Sequence, residues 1–278
     1  MDINKFIEKT GAEFISSRSN RRVIEYSKLR DEKARDEMKL FLAEGVKLSR
    51  EALRHVSVHE LLISESAAER TETDGIAALA SEKGIKITVL ADAAFEKIST
   101  EKAPQGVIAV VDHITSIHTR DNFSEWQKDK RLIMLDEIRD PGNLGTIIRS
   151  AEALGIDGIV LSGCADIYNS KTVRAAMGAL FRMPVYISQR GEDTVREMKD
   201  LGRRVIGATL GENTVTLGKY GIERSDCIVI GNEGHGISDA VVRECTMCVK
   251  IPMAGETESL NASAAAVCIM WEYFRQLN

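Results

Sequence analysis

Three stretches of this chain set polar side chains and glycines at spacings suited to holding and orienting a ligand. In the first, Asp140-Pro-Gly-Asn143 leads to Arg149 six residues on. An amide near the start of a helix is thus followed, within two turns, by a guanidinium able to grip an anion through paired hydrogen bonds. In the second, Gly231-Asn-Glu233-Gly234-His-Gly236 puts three glycines into six residues, so backbone N–H groups can approach a ligand that a Cβ would keep away. In the third, Ser259-Leu-Asn261 opens a run of alanines and serine, small side chains that let a helix lie close against another backbone. Taken singly, a capped helix with an exposed arginine, a tight turn and a pair of capping residues account for the same letters. The glycine spacing is GxxGxG, which differs from the GxGxxG dinucleotide fingerprint, and no GxxxxGK[ST] phosphate loop occurs in the chain.

Each stretch follows an apolar run of strand length. Residues 131–135, 158–161, 185–187, 205–208, 227–231 and 249–251 read as strands. Helical patterns fill 143–154 (closed by Gly155), 170–177, 193–201 and 259–275. Strands this continuously apolar belong in a parallel sheet covered on both faces, and such sheets bind ligands beyond their carboxyl ends. The first part of the chain repeats the alternation on a smaller scale. A helical stretch over 19–35 opens with the capping pair Ser19-Asn20. Strands at 40–43, 59–63, 85–90 and 106–111 alternate with helices at 45–53, 74–83 (ended by Gly84) and 91–98. The pattern predicts an α/β fold in two parts. A smaller domain covers 1–112, a polar linker 113–129, and a parallel-sheet domain 130–278.

Composition restricts the function classes. The chain has 278 residues, of which 44% are hydrophobic, enough to bury a substantial core. Its longest apolar runs have strand length and fall far short of a membrane span. Residues 1–10 mix Asp2, Lys5, Glu8 and Lys9 among their apolar neighbours, unlike the core of a signal peptide. The expectation is a soluble, cytoplasmic protein with no membrane partner. The net charge of −5 argues mildly against nucleic acid as a partner. Locally, however, Arg18, Arg21, Arg22, Lys28, Arg30, Lys33, Arg35 and Lys39 crowd one short stretch, opposed mainly by Glu25, Asp31, Glu32, Asp36 and Glu37. That stretch is either a solvated helix laced with ion pairs or a basic patch. Its front end, Arg18-Ser-Asn-Arg21-Arg22, contains no acid and is the better candidate for a patch. The five cysteines are an odd number and read as reduced thiols. Cys245-Thr-Met-Cys248 has the spacing of half a zinc site, but no second pair accompanies it, so these are expected to be core cysteines and no metal is expected.

Together, in this order and spacing, the three stretches closely resemble the motifs of the SpoU/TrmH family of RNA 2′-O-ribose methyltransferases, within the SPOUT superfamily. Lys171-Thr-Val-Arg174-Ala-Ala-Met-Gly178-Ala-Leu-Phe matches as well, with Ala176 where many relatives have serine. The resemblance covers roughly residues 131–278. More loosely, residues 18–53 and Ala103-Pro-Gln-Gly106 are similar to the L30e-like substrate-binding domain of ribosomal-RNA members.

The resemblance implies a parallel sheet whose C-terminal segment threads a trefoil knot, an S-adenosylmethionine pocket in that region, and a homodimer formed through it. By the same resemblance Thr209, Gly231, Ile251, Met253 and Leu260 would line the cofactor pocket, and Asn143, Arg149, Glu233, Ser259 and Asn261 would form the catalytic surface. Arg149 is the family's proposed base, although a guanidinium is a donor only and suits a phosphate clamp better. Glu233 would brace the glycine loop or Arg149, and Asn143 would position the ribose or Arg149. Arg18, Arg21, Arg22, Lys28 and Arg174 would meet RNA, expected to be ribosomal. Transfer RNA as substrate, a non-catalytic RNA-binding protein and a nucleotide-dependent oxidoreductase are the competing readings. The missing GxGxxG disfavours the oxidoreductase.

Overall fold

The computed structural model describes residues 3–119, 123–211, 213–255 and 259–277. The chain divides into two compact units, Met1–Ile114 with Tyr168–Phe181, and Thr115–Ile167 with Arg182–Asn278.

The first unit begins with α1 (Ile3–Thr10) and a short edge strand, β1 (Glu13–Ile15). The expected helix over 19–35 is broken into α2 (Arg21–Ser27), a 3-10 turn (Lys28–Arg30) and α3 (Glu32–Met38). Asn20 caps α2, its side chain accepting from the Arg22 backbone. The chain continues through β2 (Leu40–Glu44), α4 (Val46–His55) and β3 (Val58–Ser64). After these come α5 (Glu65–Ala68), α6 (Thr71–Glu82), β4 (Lys86–Leu90), α7 (Asp92–Ile98) and β5 (Val107–Asp112). The five strands form a mixed sheet in the order β1-β4-β3-β5-β2, parallel on the β1-β4-β3 side and antiparallel across β5. One face carries Leu42, Leu62, Leu90, Ile108 and Val110, packed against Tyr26, Leu29, Phe95 and Ile98.

The second unit starts inside the stretch expected to be a linker. Residues 113–129 contain β6 (Ile117–Thr119) and α8 (Phe123–Trp126). The reason is local: Phe123 and Trp126 sit three apart on one helical turn and both enter the core beside Tyr186. Next come β7 (Leu132–Asp136), α9 (Pro141–Ala153) and β8 (Gly158–Ser162). The chain then returns to the first unit as α10 (Ser170–Ala176) and a 3-10 turn (Ala179–Phe181). There the ring of Phe41 of β2 packs, tilted, 4.6 Å from Tyr168 and 6.4 Å from Phe181. Back in the second unit follow β9 (Val185–Ser188), α11 (Gly191–Asp200), β10 (Val205–Ala208) and β11 (Val215–Thr216). Last come β12 (Cys227–Ile230), α12 (Asp239–Glu244), β13 (Met247–Lys250) and α13 (Ala262–Leu277).

The eight strands lie in the order β11-β13-β10-β12-β7-β8-β9-β6, and every pairing is parallel. All residues of β7, β8 and β12 are buried, as continuous apolar strands with both faces covered must be. Parallel alignment brings the loops after β7, β10, β12 and β13 out at one edge. No helix among the described residues is long and apolar enough to cross a membrane.

Candidate active site

The loop after β12 is held by its own asparagine. Asn232 Oδ1 accepts from Gly234 N at 2.7 Å, and its Nδ2 donates to the Glu137 carbonyl at 2.8 Å, tying the loop to the end of β7. Asn232 and Gly236 also exchange backbone hydrogen bonds in both directions at 2.9 Å. This fold-back lays Gly236 and Ile237 directly over Gly231, where a Cβ would collide with the Gly236 carbonyl and the Ile237 nitrogen. Only glycine fits there. Asp136, buried at the end of β7, accepts from Ser238 N at 2.8 Å and closes the far side of the loop.

A cavity of about 520 Å³ opens at this edge. Thr209, Gly231, Ile251, Met253 and Leu260, the five residues expected to hold a cofactor, all line it. Glu233 and Ser259 line it too. Glu256, Thr257 and Glu258, part of the third motif, lie outside the described residues.

Helix α9 starts two residues earlier than its sequence suggests. Asp140 is the cap, accepting from Asn143 N at 2.9 Å, and Pro141 occupies the first turn, where its missing N–H costs nothing. Asn143 therefore sits inside the helix, and its side chain is free for other work. Its Nδ2 donates to Glu233 Oε1, and its Oδ1 accepts from Asn261 Nδ2 at 3.2 Å. Asn261 in turn opens α13, its Oδ1 accepting from Ser263 N at 3.0 Å. Three of the five expected catalytic residues are thus directly joined. Arg149 is not among them. It is exposed on α9, turned about 120° from Asn143 and about 9 Å further along the axis, and it has no hydrogen bond or ion pair among the described residues. Among the described residues, the side chain of Glu233 meets Asn143 and not Arg149.

The residues expected to meet RNA divide into two groups. Arg18, Arg21 and Lys28 are exposed, with Arg21 in an i,i+4 pair with Glu25 at 2.8 Å. Arg22 is engaged inside the first unit, its guanidinium on Glu13 at 2.6 Å and Glu60 at 2.7 Å. Arg174 likewise pairs with Glu101 at 3.0 Å and donates to Thr100 Oγ1 at 3.1 Å. Of the paired cysteines, the Cys245 Sγ donates to the Val241 carbonyl at 3.4 Å, and burial pushes its thiol up to about 12. Both sulfurs lie against Gly207.

Sequence reasoning missed Asn232, Asp136 and Asp140. An Asn two residues before a glycine is a turn signal, and Asp before Pro is a helix-start signal, so two of them carried a local mark.

Comparison with known proteins extends these observations. A family model described as SpoU rRNA Methylase family matches residues 130–271, and one described as MRM3-like substrate binding domain matches residues 20–109. The chain is 32% identical over 259 residues to the 23S rRNA (guanosine(2553)-2′-O)-methyltransferase RlmP of Bacillus subtilis, covering 92% of this chain and 97% of that one. An AdoMet-bound rRNA methyltransferase from Sinorhizobium meliloti has a TM-score of 0.80 at 29% identity, covering 96% of this chain and 99% of that chain. The SpoU methyltransferase AviRb from Streptomyces viridochromogenes, in complex with AdoMet, has a TM-score of 0.78 at 27% identity, covering 93% and 98%. Motif order, parallel sheet and near full-length coverage agree, and the chain belongs to the SpoU rRNA methylase family.

Proposed function

We propose that this chain transfers the methyl group of S-adenosylmethionine to a ribose 2′-hydroxyl of ribosomal RNA. The observation that carries the reading is the cavity at the carboxyl edge of β10, β12 and β13, rimmed by a carboxylate that two asparagines hold in place. The donor set fits S-adenosylmethionine. The volume of about 520 Å³ suits a nucleoside-sized ligand, the glycine loop presents backbone where side chains would intrude, and Ile251, Met253 and Leu260 offer apolar contact. When bound, the donor supplies a methyl group already activated by its sulfonium charge.

The protein's task is then chiefly orientation. Glu233 and Ser259 present hydrogen-bonding groups at the cavity rim, and Asn143 holds Glu233 from behind. Arg149, with a donor-only guanidinium, clamps the phosphate beside the target ribose. Arg18, Arg21 and Lys28 contact RNA phosphates from the first unit, read as an L30e-like substrate-binding domain, while Arg22 and Arg174 hold that unit together. The reading includes a trefoil knot in the C-terminal segment and action in the cytoplasm, where the RNA is modified. It also includes a homodimer, supported by an apolar stripe on α13. There Val267 (38% exposed), Trp271 (53%) and Phe274 (36%) face outward, the two rings stacked 5.7 Å apart.

The test is transfer of labelled methyl from S-adenosylmethionine to separated ribosomal and transfer RNA, followed by nucleoside analysis. A 2′-O-methylated nucleoside from ribosomal RNA is expected. Incorporation only into transfer RNA would overturn the substrate. S-adenosylmethionine binding without incorporation into either RNA would point to an assembled particle, and no binding would overturn the enzymatic reading.

A further inference from the structure

The hydrogen bonds joining Asn261, Asn143 and Glu233 run in one direction only. At the anchored end, Asn261 Oδ1 accepts from Ser263 N at 3.0 Å, Ser263 Oγ at 2.6 Å and Ala264 N at 3.4 Å. Backbone amides at a helix start can only donate, so this end of the Asn261 amide must be its oxygen. Its Nδ2 is thereby turned towards Asn143 Oδ1, 3.2 Å away. With its oxygen so engaged, Asn143 presents its own Nδ2 to Glu233 Oε1. Reversing either amide would set oxygen against oxygen or N–H against N–H. The orientation imposed by α13 thus passes through two side chains to a carboxylate at the cavity rim. Glu233 Oε2 has no donor among the described residues and remains open.

Resting on the methyl-transfer reading above, we infer that Glu233 accepts the proton of the ribose hydroxyl and that Asn261 is a positioning residue acting on it through Asn143. In the step, the hydroxyl oxygen forms its bond to the methyl carbon as the carbon–sulfur bond breaks, the electron pair staying on sulfur. The hydroxyl proton passes to Glu233 Oε2. A sulfonium and a carboxylate become a thioether and a carboxylic acid, and charge balances. Arg149 cannot take this part, since a guanidinium has no lone pair to offer and Arg149 does not line the cavity. The amide from Asn143 leaves Glu233 one oxygen fixed and one available, which is the arrangement a directed acceptor needs.

A double-mutant cycle tests the inference, using S-adenosylmethionine and ribosomal RNA from cells lacking the enzyme. Asn261→Asp keeps an oxygen to cap α13 but has no N–H for Asn143. It should lower kcat on the order of tenfold, with the Kd for S-adenosylmethionine unchanged. Glu233→Gln should lower kcat roughly 100-fold or more. In the Glu233→Gln background, Asn261→Asp should then change kcat by less than about twofold, because its route to the reaction is already gone. Should Asn261→Asp melt early, Asn261→Ser, also a capping residue without an amide, is used in its place. Effects that multiply would overturn the relay, and wild-type kcat in Glu233→Gln would overturn the acceptor role. Absence of S-adenosylmethionine binding by the wild-type chain, or of methyl transfer to ribosomal RNA both free and in the assembled particle, would instead bring down the methyl-transfer reading, and the inference with it.

Discussion

The Arg22 guanidinium donates to Glu60 Oε1 at 2.7 Å, and Glu60 has 2% of its surface exposed. Tyr26 holds the other Glu60 oxygen at 2.6 Å, and burial followed by this hydrogen bond pushes its phenol upward. A carboxylate this deep is tolerable only when both oxygens are paired. Adjacent arginines in the sequence therefore have different duties: Arg21 points to solvent and Arg22 neutralises a buried charge.

Arg22→Ala should destabilise the first unit by about 3 kcal/mol, because it leaves Glu60 only the more distant Lys86, at 4.0 Å, as counter-charge. Arg21→Ala and Lys28→Ala should leave stability within about 0.5 kcal/mol of wild type and weaken ribosomal-RNA binding most at low salt. Urea denaturation beside RNA titration at two salt concentrations separates the two. An Arg22→Ala protein as stable as wild type would contradict the structural duty.

Gly231→Ala should abolish detectable binding of S-adenosylmethionine and lower stability by about 1–3 kcal/mol. The added methyl group meets backbone at Gly236 and Ile237, which cannot swing aside as a side chain would. Calorimetric titration and thermal melting give both quantities. Normal cofactor affinity would mean the loop refolds freely around the methyl group.

Arg149→Ala should reduce methyl transfer at least about 100-fold while leaving cofactor affinity intact. The helix position is exposed and away from the cavity lining, so the loss should fall on turnover with RNA. Unchanged turnover would remove Arg149 from the catalytic surface.

Stability should carry an acid-sensitive component from Asp157. Burial raises its carboxyl, but the hydrogen bonds from Arg131, at 2.9, 3.1 and 3.3 Å, outweigh it and hold the pKa below the ordinary value. A carboxyl depressed on folding stabilises above its unfolded pKa of about 3.9, and that stability fades as pH falls through the lower folded value. Asp157→Asn should thus cost about 1–2 kcal/mol at neutral pH and progressively less below about pH 4. Melting curves of both proteins across that range test it; a gap independent of pH would assign the effect to packing.

Trp271→Glu should convert a dimer to a monomer without unfolding it, since the indole is 53% exposed and, among the described residues, stacks on no ring but Phe274. Sedimentation equilibrium reads the mass directly. A wild-type chain that sediments as a monomer would remove the proposed interface.

Much of this was legible in the letters because strong periodicity and punctuation coincide. Residues 205–208 form a strand as expected, and Gly155, at φ +70°, ends the helix the pattern had ended there. The elements that escaped are short or masked by polar neighbours. Within 113–129 two aromatic rings, Phe123 and Trp126, outweigh the polar majority because burial rewards area and not residue count. In 19–35 the capping pair and helical character suggested one helix, but the chain breaks at the Lys28–Arg30 turn, whose Leu29 and Arg30 carbonyls accept from the inward-turned Arg35 of α3, both at 2.8 Å. At the site, residue types marked the participants, whereas the pairing of Asn143 with Glu233 joins positions 90 apart. No local pattern encodes a contact of that kind.

The excursion of residues 168–181 into the first unit bears on how this gene can be recombined. A single cut near residue 114 would hand α10 to the wrong fragment, stripping Tyr168 and Phe181 from the Phe41 ring they bury against. Grafting a new recognition module onto this family member therefore requires exchanging two separate stretches of sequence together. The part of the chain that matches the methyltransferase family model, residues 130–271, is not by itself a portable cassette.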